Sequence, residues 1–423
     1  MEIAMIIVLS LLLIVFLGLK IGDVFAPWTI TVAVWLAILL MYQAQDGLLY
    51  PLGDQFKNCV MLWVPIFCVT ALITYTVMPK AEQENKGTAP AAVIPTTATI
   101  PTAAAIPPTA TIPPYNSLLF DVLYFISMVI TPLYLYQIIK IVSMFDLSDM
   151  LNNMRILAVY GNQNFGFLQY SYVLNQMLLV VALWEYPKVP LWKLTTIIIA
   201  SIMSAVAIME KGMLFFLFIS VLFILYEKRT IRIRSILISI VSIVVVFFFM
   251  NMLRDYREDA DPNDAMTFLD FFAIYVMSPA AAFEVVEEDP TPQWGSHTFQ
   301  ILYLFLNRWG GDYEVNTKLQ AFVWVPLPTN VYTIFQPFFE DFKYKGVAFF
   351  AFFYGVFSGW AYRIMRNGDG FGKCFYAFVV YVLVLQFYQE NVMMSLVSVI
   401  QFTFFTWIVM QQRIGIFIKR EDR

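Results

Sequence analysis

Charge, histidine and cysteine are all scarce in this chain, and each shortage excludes something. Charged residues make up 13% of the 423 residues and hydrophobic ones 60%, against about 25% and about 45–50% in a soluble domain. An imbalance this large excludes a water-soluble globular protein and points to helices immersed in a bilayer. There is a single histidine, His297, and the three cysteines, Cys59, Cys68 and Cys374, share no paired spacing. Neither a transition-metal site nor a disulfide framework is therefore expected. Cys68 lies inside an apolar run and reads as a small buried hydrophobe. No basic segment and no small-residue cleavage site precede Lys20, so the first apolar run reads as a retained span rather than a signal peptide.

What is abundant is apolar and aromatic: 17% aromatics, with 40 Phe, as suits lipid-facing helices and interfacial belts. A crossing needs about 20 apolar residues. Stretches that meet or approach this are 2–19, 24–42, 59–78, 117–140, 166–184, 192–208, 212–227, 234–251, 346–364, 374–388 and 393–411. The expected fold class is thus an all-α polytopic membrane protein with about eleven transmembrane helices and one large outer loop holding short helices or a re-entrant element. The expected organisation is N-terminal helices over 1–78, a Pro/Thr/Ala-rich linker over 79–116, central helices over 117–250, the large loop over 251–345, C-terminal helices over 346–411 and a tail over 412–423.

Lys and Arg in short loops set the orientation. The segment Glu227–Arg234, the group Arg363, Arg366 and Lys373, and the tail with Arg413, Lys419, Arg420 and Arg423 agree on one parity. They place themselves, the linker and the C-terminus in the cytoplasm, and the N-terminus and the 251–345 loop outside. The linker repeats Ile-Pro every six residues, at Ile94-Pro95, Ile100-Pro101, Ile106-Pro107 and Ile112-Pro113. Proline at that density favours extended, solvated chain, so a tether that is dispensable for chemistry is expected. Met266 to Val286 is apolar but carries Asp270, Pro279 and Glu284. A crossing there would reverse the parity, and an interfacial or re-entrant element is expected instead.

The large loop concentrates the candidates. It is acid-rich, with few cations: Arg254, Arg257, Arg308, Lys318, Lys343 and Lys345. That balance suggests discrete anion contacts rather than a polybasic surface, and nucleic acid is not an expected partner. Arg254 and Arg257 are equally well read as partners of neighbouring acids at the surface. Glu210-Lys211 sits between two apolar runs, either as a soluble tight turn or as a cation at the mouth of a helix bundle, suited to phosphate. His297, in Trp294-Gly295-Ser296-His297-Thr298-Phe299, is either a hydrogen-bonded structural residue or a proton acceptor working near neutrality. The run Pro326 to Gly346 mixes prolines, amides, hydroxyls, carboxylates and aromatic rings. Sugar recognition uses those groups, and a packed loop cap would contain them too.

Thr329-Asn330-Val331-Tyr332-Thr333, followed by Pro337-Phe338-Phe339-Glu340-Asp341-Phe342 and Gly346 at the mouth of a span, resembles the Wzy-type O-antigen polymerases, also called oligosaccharide repeat unit polymerases. Members carry an N-x-Y-T pattern and then P-x-x-x-D-F-G-x-x-G. Lys343 stands where glycine usually follows Asp-Phe, which argues against a tight turn there. Gly295 to Phe299 resembles the family's G-x-x-T-F piece, Tyr275 to Pro279 its loop element, and Glu210-Lys211-Gly212 the basic residue before a span. The arginine–glycine loop motif of some members is absent after Arg254 and Arg257.

The resemblance implies a GT-C-like, metal- and cofactor-independent glycosyltransferase of the bacterial inner membrane. It would take oligosaccharide units on undecaprenyl diphosphate and transfer the growing glycan to the non-reducing sugar of the next unit at the periplasmic face. Membrane lipid, and the flippase and chain-length regulator of the same pathway, are the implied partners. Lys211, Arg254, Arg308 and Arg155 are then candidates for the diphosphate. Asp341, Glu340 and His297 are candidates for the acceptor proton, and Asn330, Tyr332 and Thr333 for the sugar. The rivals are an O-antigen ligase, disfavoured by the lone histidine, and a transporter or flippase. A transporter predicts internal repeats and charge at mid-membrane, and no internal repeat is visible among the spans.

Overall fold

The fold is taken from a computed structural model, which describes residues 2–45, 47–80, 115–144, 153–154, 157, 166–208, 211–235, 268–287, 293–315, 320–325 and 328–411. The Pro/Thr repeat, nearly all of the expected span 234–251, the acid-rich start of the large loop and the tail 412–423 lie outside the described residues. The helices are α1 (Glu2–Gly18), α2 (Pro27–Ala44), α3 (Asp54–Val77), α4 (Ser117–Val142), α5 (Ser171–Glu185), α6 (Leu191–Ile208), α7 (Lys211–Glu227), α8 (Phe268–Phe283), α9 (Gln300–Arg308), α10 (Gln336–Arg366), α11 (Gly370–Val384) and α12 (Leu396–Met410). A short antiparallel ladder pairs β1 (Val323–Trp324) with β2 (Pro328–Thr329), Val323 opposite Thr329. The chain is an all-α, multi-pass membrane protein. Six stretches are long and apolar enough to cross a membrane: Pro27–Ala44, Asp54–Val77, Ser117–Val142, Gly166–Glu185, Gln336–Arg366 and Gly370–Phe387. The helices α1, α7 and α12 and the stretch Leu191–Ala205 of α6 are shorter apolar helices, and lie on four more of the expected runs.

Local sequence explains where the helices begin. Pro27 opens α2, its locked φ suiting the first turn. Asn116 caps α4 by accepting from the Leu119 N–H at 3.1 Å, and Asp369 caps α11 by accepting from the Gly372 N–H at 2.6 Å. The start of α3 has no cap of its own. Glu284, just past α8, supplies one, accepting from the N–H groups of Gln55 at 3.2 Å and Phe56 at 3.0 Å. Gln55 returns the contact by donating to the carbonyls of Phe283 and Val286, and Tyr42 of α2 donates to the Met277 carbonyl. The apolar element expected around 266–286 is therefore a helix docked by specific polar bonds onto the ends of α2 and α3.

The helices α3 and α10, far apart in sequence, meet backbone to backbone. A Cβ at Gly355 would run into Thr70, and one at Gly359 into the Ala71 carbonyl. Small residues allow that approach where lipid offers no hydrophobic drive. Beside this seam an aromatic core fills the interior. Phe335 stacks on Trp35 with centroids 4.8 Å apart, and Phe338 on Phe350 at 4.0 Å, with Trp63 between them.

The bundle has two unlike ends. One end is basic. Arg363 donates twice to the Met78 carbonyl at the end of α3, and Arg366 pairs with Glu227 at 3.1 Å and with Asp23. Lys228 caps α5 by donating to the carbonyls of Leu183, Trp184 and Tyr186. The opposite end gathers the starts of α1 and α3, tied by Lys57 to Glu2 at 2.7 Å, together with α8, the described residues between 293 and 335, the first turns of α10 and the turn before α12. The basic loops picked out from the sequence thus share one end where the described residues reach them.

Candidate functional site

The site is built where two segments, 44 positions apart in sequence, close on each other. One is Gly295 to Phe299. Gly295 has φ +69°, a conformation that favours glycine, and a Cβ there would strike Phe299. The other is the first turn and a half of α10. Asp341 joins the two: its carboxylate accepts from the His297 N–H at 3.2 Å and the Thr298 N–H at 2.7 Å. The Thr298 hydroxyl donates to the Pro337 carbonyl at 3.1 Å. Trp294 stacks on Phe299 and leans on Phe342. Both oxygens of Asp341 are thus engaged by backbone donors, which makes this carboxylate an anchor for the loop.

The anchored loop delivers His297 to Glu340. The imidazole Nδ1 lies 3.0 Å from Glu340 Oε2, with both side chains largely sheltered. The approach is off the line of a hydrogen bond, and the contact becomes an ion pair only when the imidazole carries a proton. The other oxygen of Glu340 accepts from Gln336 Nε2 at 3.1 Å, and the same nitrogen donates to Gln320 Oε1 at 2.8 Å. Burial, with the Asp341 and Tyr313 charges adding to it, pushes the Tyr303 phenol up. That keeps it a neutral donor, and it bonds the Trp294 carbonyl.

A turn follows at once. Lys343 has φ +51° and ψ −146° inside α10 and divides it into a short segment carrying Glu340 and Asp341 and a long one packed on α3. Lysine in place of glycine weakens the case for a tight turn at this point, and the chain makes one all the same. The chain turns there without glycine, in a region of backbone space that glycine nearly monopolises, at a cost of about 1–3 kcal/mol. The reason is tertiary: Asp341 and Phe338 fix one side, and Gly346, where a Cβ would strike the Phe338 carbonyl, fixes the other.

The candidate sugar-binding residues sit on the strand-like lead-in to α10. Tyr332 is buried, donates to the Ala321 carbonyl at 2.9 Å, and is pushed up to about 12 by burial and by the Glu340 carboxylate nearby. Asn330 is half-buried. Thr333 is buried, its hydroxyl without a partner among the described residues. Thr329 accepts from the Val331 N–H at 3.3 Å and lies 3.5 Å from Ser278 of α8. The Ile334 N–H donates to the Gln386 carbonyl at 2.9 Å. His297, Glu340, Asp341, Tyr332 and Thr333 therefore belong to one neighbourhood. Arg308 does not join them: it is exposed at the far end of α9. Lys211 opens α7, but its side chain, with Arg155 and Arg254, lies outside the described residues. Among the described residues no three His, Cys, Asp or Glu side chains group as metal ligands would.

Sequence reasoning missed the turn after α11. Gln386 is fully buried, and its side-chain oxygen accepts from the indoles of both Trp35 and Trp63 at 3.2 Å. Glu390 is buried too, accepting from the Tyr354 hydroxyl, the Val392 N–H at 2.7 Å and the Met394 N–H at 2.8 Å. The available signal was a cluster of amide and carboxylate residues, Gln386 to Asn391, interrupting two apolar runs.

No family model matches the chain, and no solved structure matches it. Over 249 residues the sequence is 26% identical to a protein of Escherichia coli (strain K12) described as "Putative O-antigen polymerase", a match that takes in 57% of this chain and 60% of that relative's length.

Proposed function

We propose that the chain polymerises oligosaccharide repeat units carried on undecaprenyl diphosphate, with the loop end of the bundle facing the periplasm and the basic end the cytoplasm. Three things support this reading: the likeness to the E. coli protein described as an O-antigen polymerase, the gathering of Lys and Arg at one end, and the closure of two motif segments into one site. The last carries the most weight. Asp341, bonded to the backbone of His297 and Thr298, explains why those segments occur together in one chain.

In this reading the acceptor sugar's hydroxyl oxygen attacks the anomeric carbon of the growing glycan. The anomeric C–O bond to the diphosphate breaks, and the lipid diphosphate leaves with the electron pair. His297 takes the hydroxyl proton, while Glu340 orients the ring and balances the imidazolium, as a carboxylate does beside a catalytic histidine. Asp341, with each oxygen held by a backbone N–H, positions His297. Asn330, Tyr332 and Thr333 face the sugars. Lys211 and Arg254, with Arg155 as a further cation, stabilise charge developing on the leaving diphosphate, and Arg308, at the far end of α9, takes no part in this. Both substrates carry lipid tails, so a site at the end of a membrane bundle suits them. The flippase and chain-length regulator of the same pathway are the natural neighbours.

Deleting the gene should collapse the surface-glycan ladder to single-repeat species. Loss of all surface glycan would instead indicate a flippase, and full-length glycan retained on the carrier lipid a ligase. His297→Ala, Lys211→Ala and Arg254→Ala should each reproduce the deletion at normal protein amounts. Intact ladders in both cation variants would remove the diphosphate assignment.

A further inference from the structure

The turn between α11 and α12 presents a polar surface inside the bundle that the proposed chemistry has not used. α11 ends at Val384, and α12 does not begin until Leu396. Glu390 reaches Tyr354, two turns beyond Gly346 on α10, about 12 Å along the axis at 1.5 Å per residue. The turn therefore dips below the level at which the long part of α10 begins. Non-helical backbone at such depth persists only where protein or a cavity satisfies it. Glu390 does so here by accepting from two N–H groups of the turn and one phenol.

On this turn Tyr388 is half-buried and stacks on Tyr275 of α8, with centroids 5.5 Å apart, planes within 26° and hydroxyls in contact. Gln389 and Asn391 bond each other at 2.7 Å. The wall is continuous with the lead-in to α10. Ser278 of α8 meets Thr329, and the Gln386 carbonyl accepts the Ile334 N–H. Two buried polar groups near that last bond, the Gln386 side-chain NH2 and the Thr333 hydroxyl, have no hydrogen-bond partner among the described residues. Buried polar groups are ordinarily hydrogen-bonded, and these two are suited to a polar ligand.

We propose that the α11–α12 turn is a second wall of the glycan site, where the Tyr388–Tyr275 pair offers a stacking face to a pyranose of the lipid-linked acceptor and Glu390 holds the wall in place. Ring faces, phenols and side-chain amides together match the apolar face and hydroxyl edge of a sugar. This second wall presupposes the polymerase activity proposed above. It adds that the acceptor lies along the wall that residues 329–334 and 386–391 share, against its half-buried positions Asn330, Val331, Tyr388 and Gln389.

The test uses the full-length protein in membranes of the deletion strain, with lipid-linked repeat unit as substrate. Tyr388→Ala should raise the KM for that substrate about tenfold with kcat within about twofold, because it removes uniform binding. Tyr388→Phe, which keeps the face, should raise it by less than about threefold. If the Ala protein fails to accumulate, Tyr388→Leu takes its place with the same expected rise. Glu390→Gln should raise KM as Tyr388→Ala does, and Glu390→Asp should recover part of it. A merely structural role would lower protein amount or kcat and leave KM alone. Unchanged KM in Tyr388→Ala or Tyr388→Leu, with His297→Ala inactive, overturns the second wall and leaves the polymerase standing. A normal ladder in the gene deletion overturns both.

Discussion

Replacing Asp341 by asparagine tests the geometry of the site most directly. The carboxylate accepts two backbone N–H bonds, at 3.2 Å from His297 and 2.7 Å from Thr298, and a hydrogen bond to a charged group contributes about 1.5–3 kcal/mol. Asparagine keeps one acceptor oxygen and turns its NH2 toward the other N–H, losing one bond and weakening the second. Asp341 is half-buried, so water offsets part of the loss. The low end, about 2 kcal/mol, is the appropriate figure, and it corresponds to roughly a 30-fold shift toward the undocked loop at about 1.36 kcal/mol per decade. Hydrogen–deuterium exchange with mass spectrometry on protein in nanodiscs reads this at the peptide. The amides of His297 and Thr298 should exchange about 30-fold faster, while the Leu119 amide, held by the Asn116 cap, should stay unchanged. Polymerisation should fall with the docked population and be partly recovered at lower temperature. Exchange at 297–298 within about threefold of the parent would refute Asp341 as the anchor.

Three further outcomes follow from particular contacts. Lys343→Gly relieves the left-handed turn in α10 and should stabilise the protein by about 1 kcal/mol after the entropic cost of glycine. A higher melting temperature in detergent is expected, with no gain from Lys343→Ala, which keeps the Cβ. Gly359→Val drives a side chain into the Ala71 carbonyl and should cost at least about 1–3 kcal/mol; an unchanged melting temperature would show that α3 and α10 are not in backbone contact. The phenol of Tyr332 is pushed up to about 12 from an ordinary value of 10.0, so the folded state holds that proton more tightly than the unfolded chain. Its contribution to stability is complete below about pH 10 and is lost as pH rises toward 12. Tyr332→Phe should flatten the melting-temperature profile across that window.

The spans were legible because hydrocarbon demands long apolar helices, and the runs around α2, α3 and α4 announce themselves. The docking of α8 was half legible: Pro279 and Glu284 argued against a crossing, but nothing in the sequence says that Glu284 caps α3. At the site, residue types were legible and partnerships were not. His297 and Glu340 are separated by a long stretch of chain, and only the fold shows that Asp341 bonds the loop that brings them together. The turn at Lys343 was obscured because local propensity weakened the case for it while tertiary contacts on both sides impose it. Glu390 escaped notice because a carboxylate between two apolar runs looks like an ordinary surface loop. Depth in a bundle is a property of neighbouring helices, here of Tyr354, and leaves no local mark.

The bonds that Arg363 and Asn367 make to the carbonyls of Met78 and Pro79, and that Asn116 makes to Val409, have an evolutionary consequence. They fasten the chain on either side of the hexapeptide repeat before it begins and after it ends. Doubling the length of a connection between fixed points costs only about 0.6 kcal/mol in closure entropy. Replication slippage could therefore add or delete repeat units while the helices keep their register, leaving this segment free to diverge in length between strains as the bundle around it stays the same.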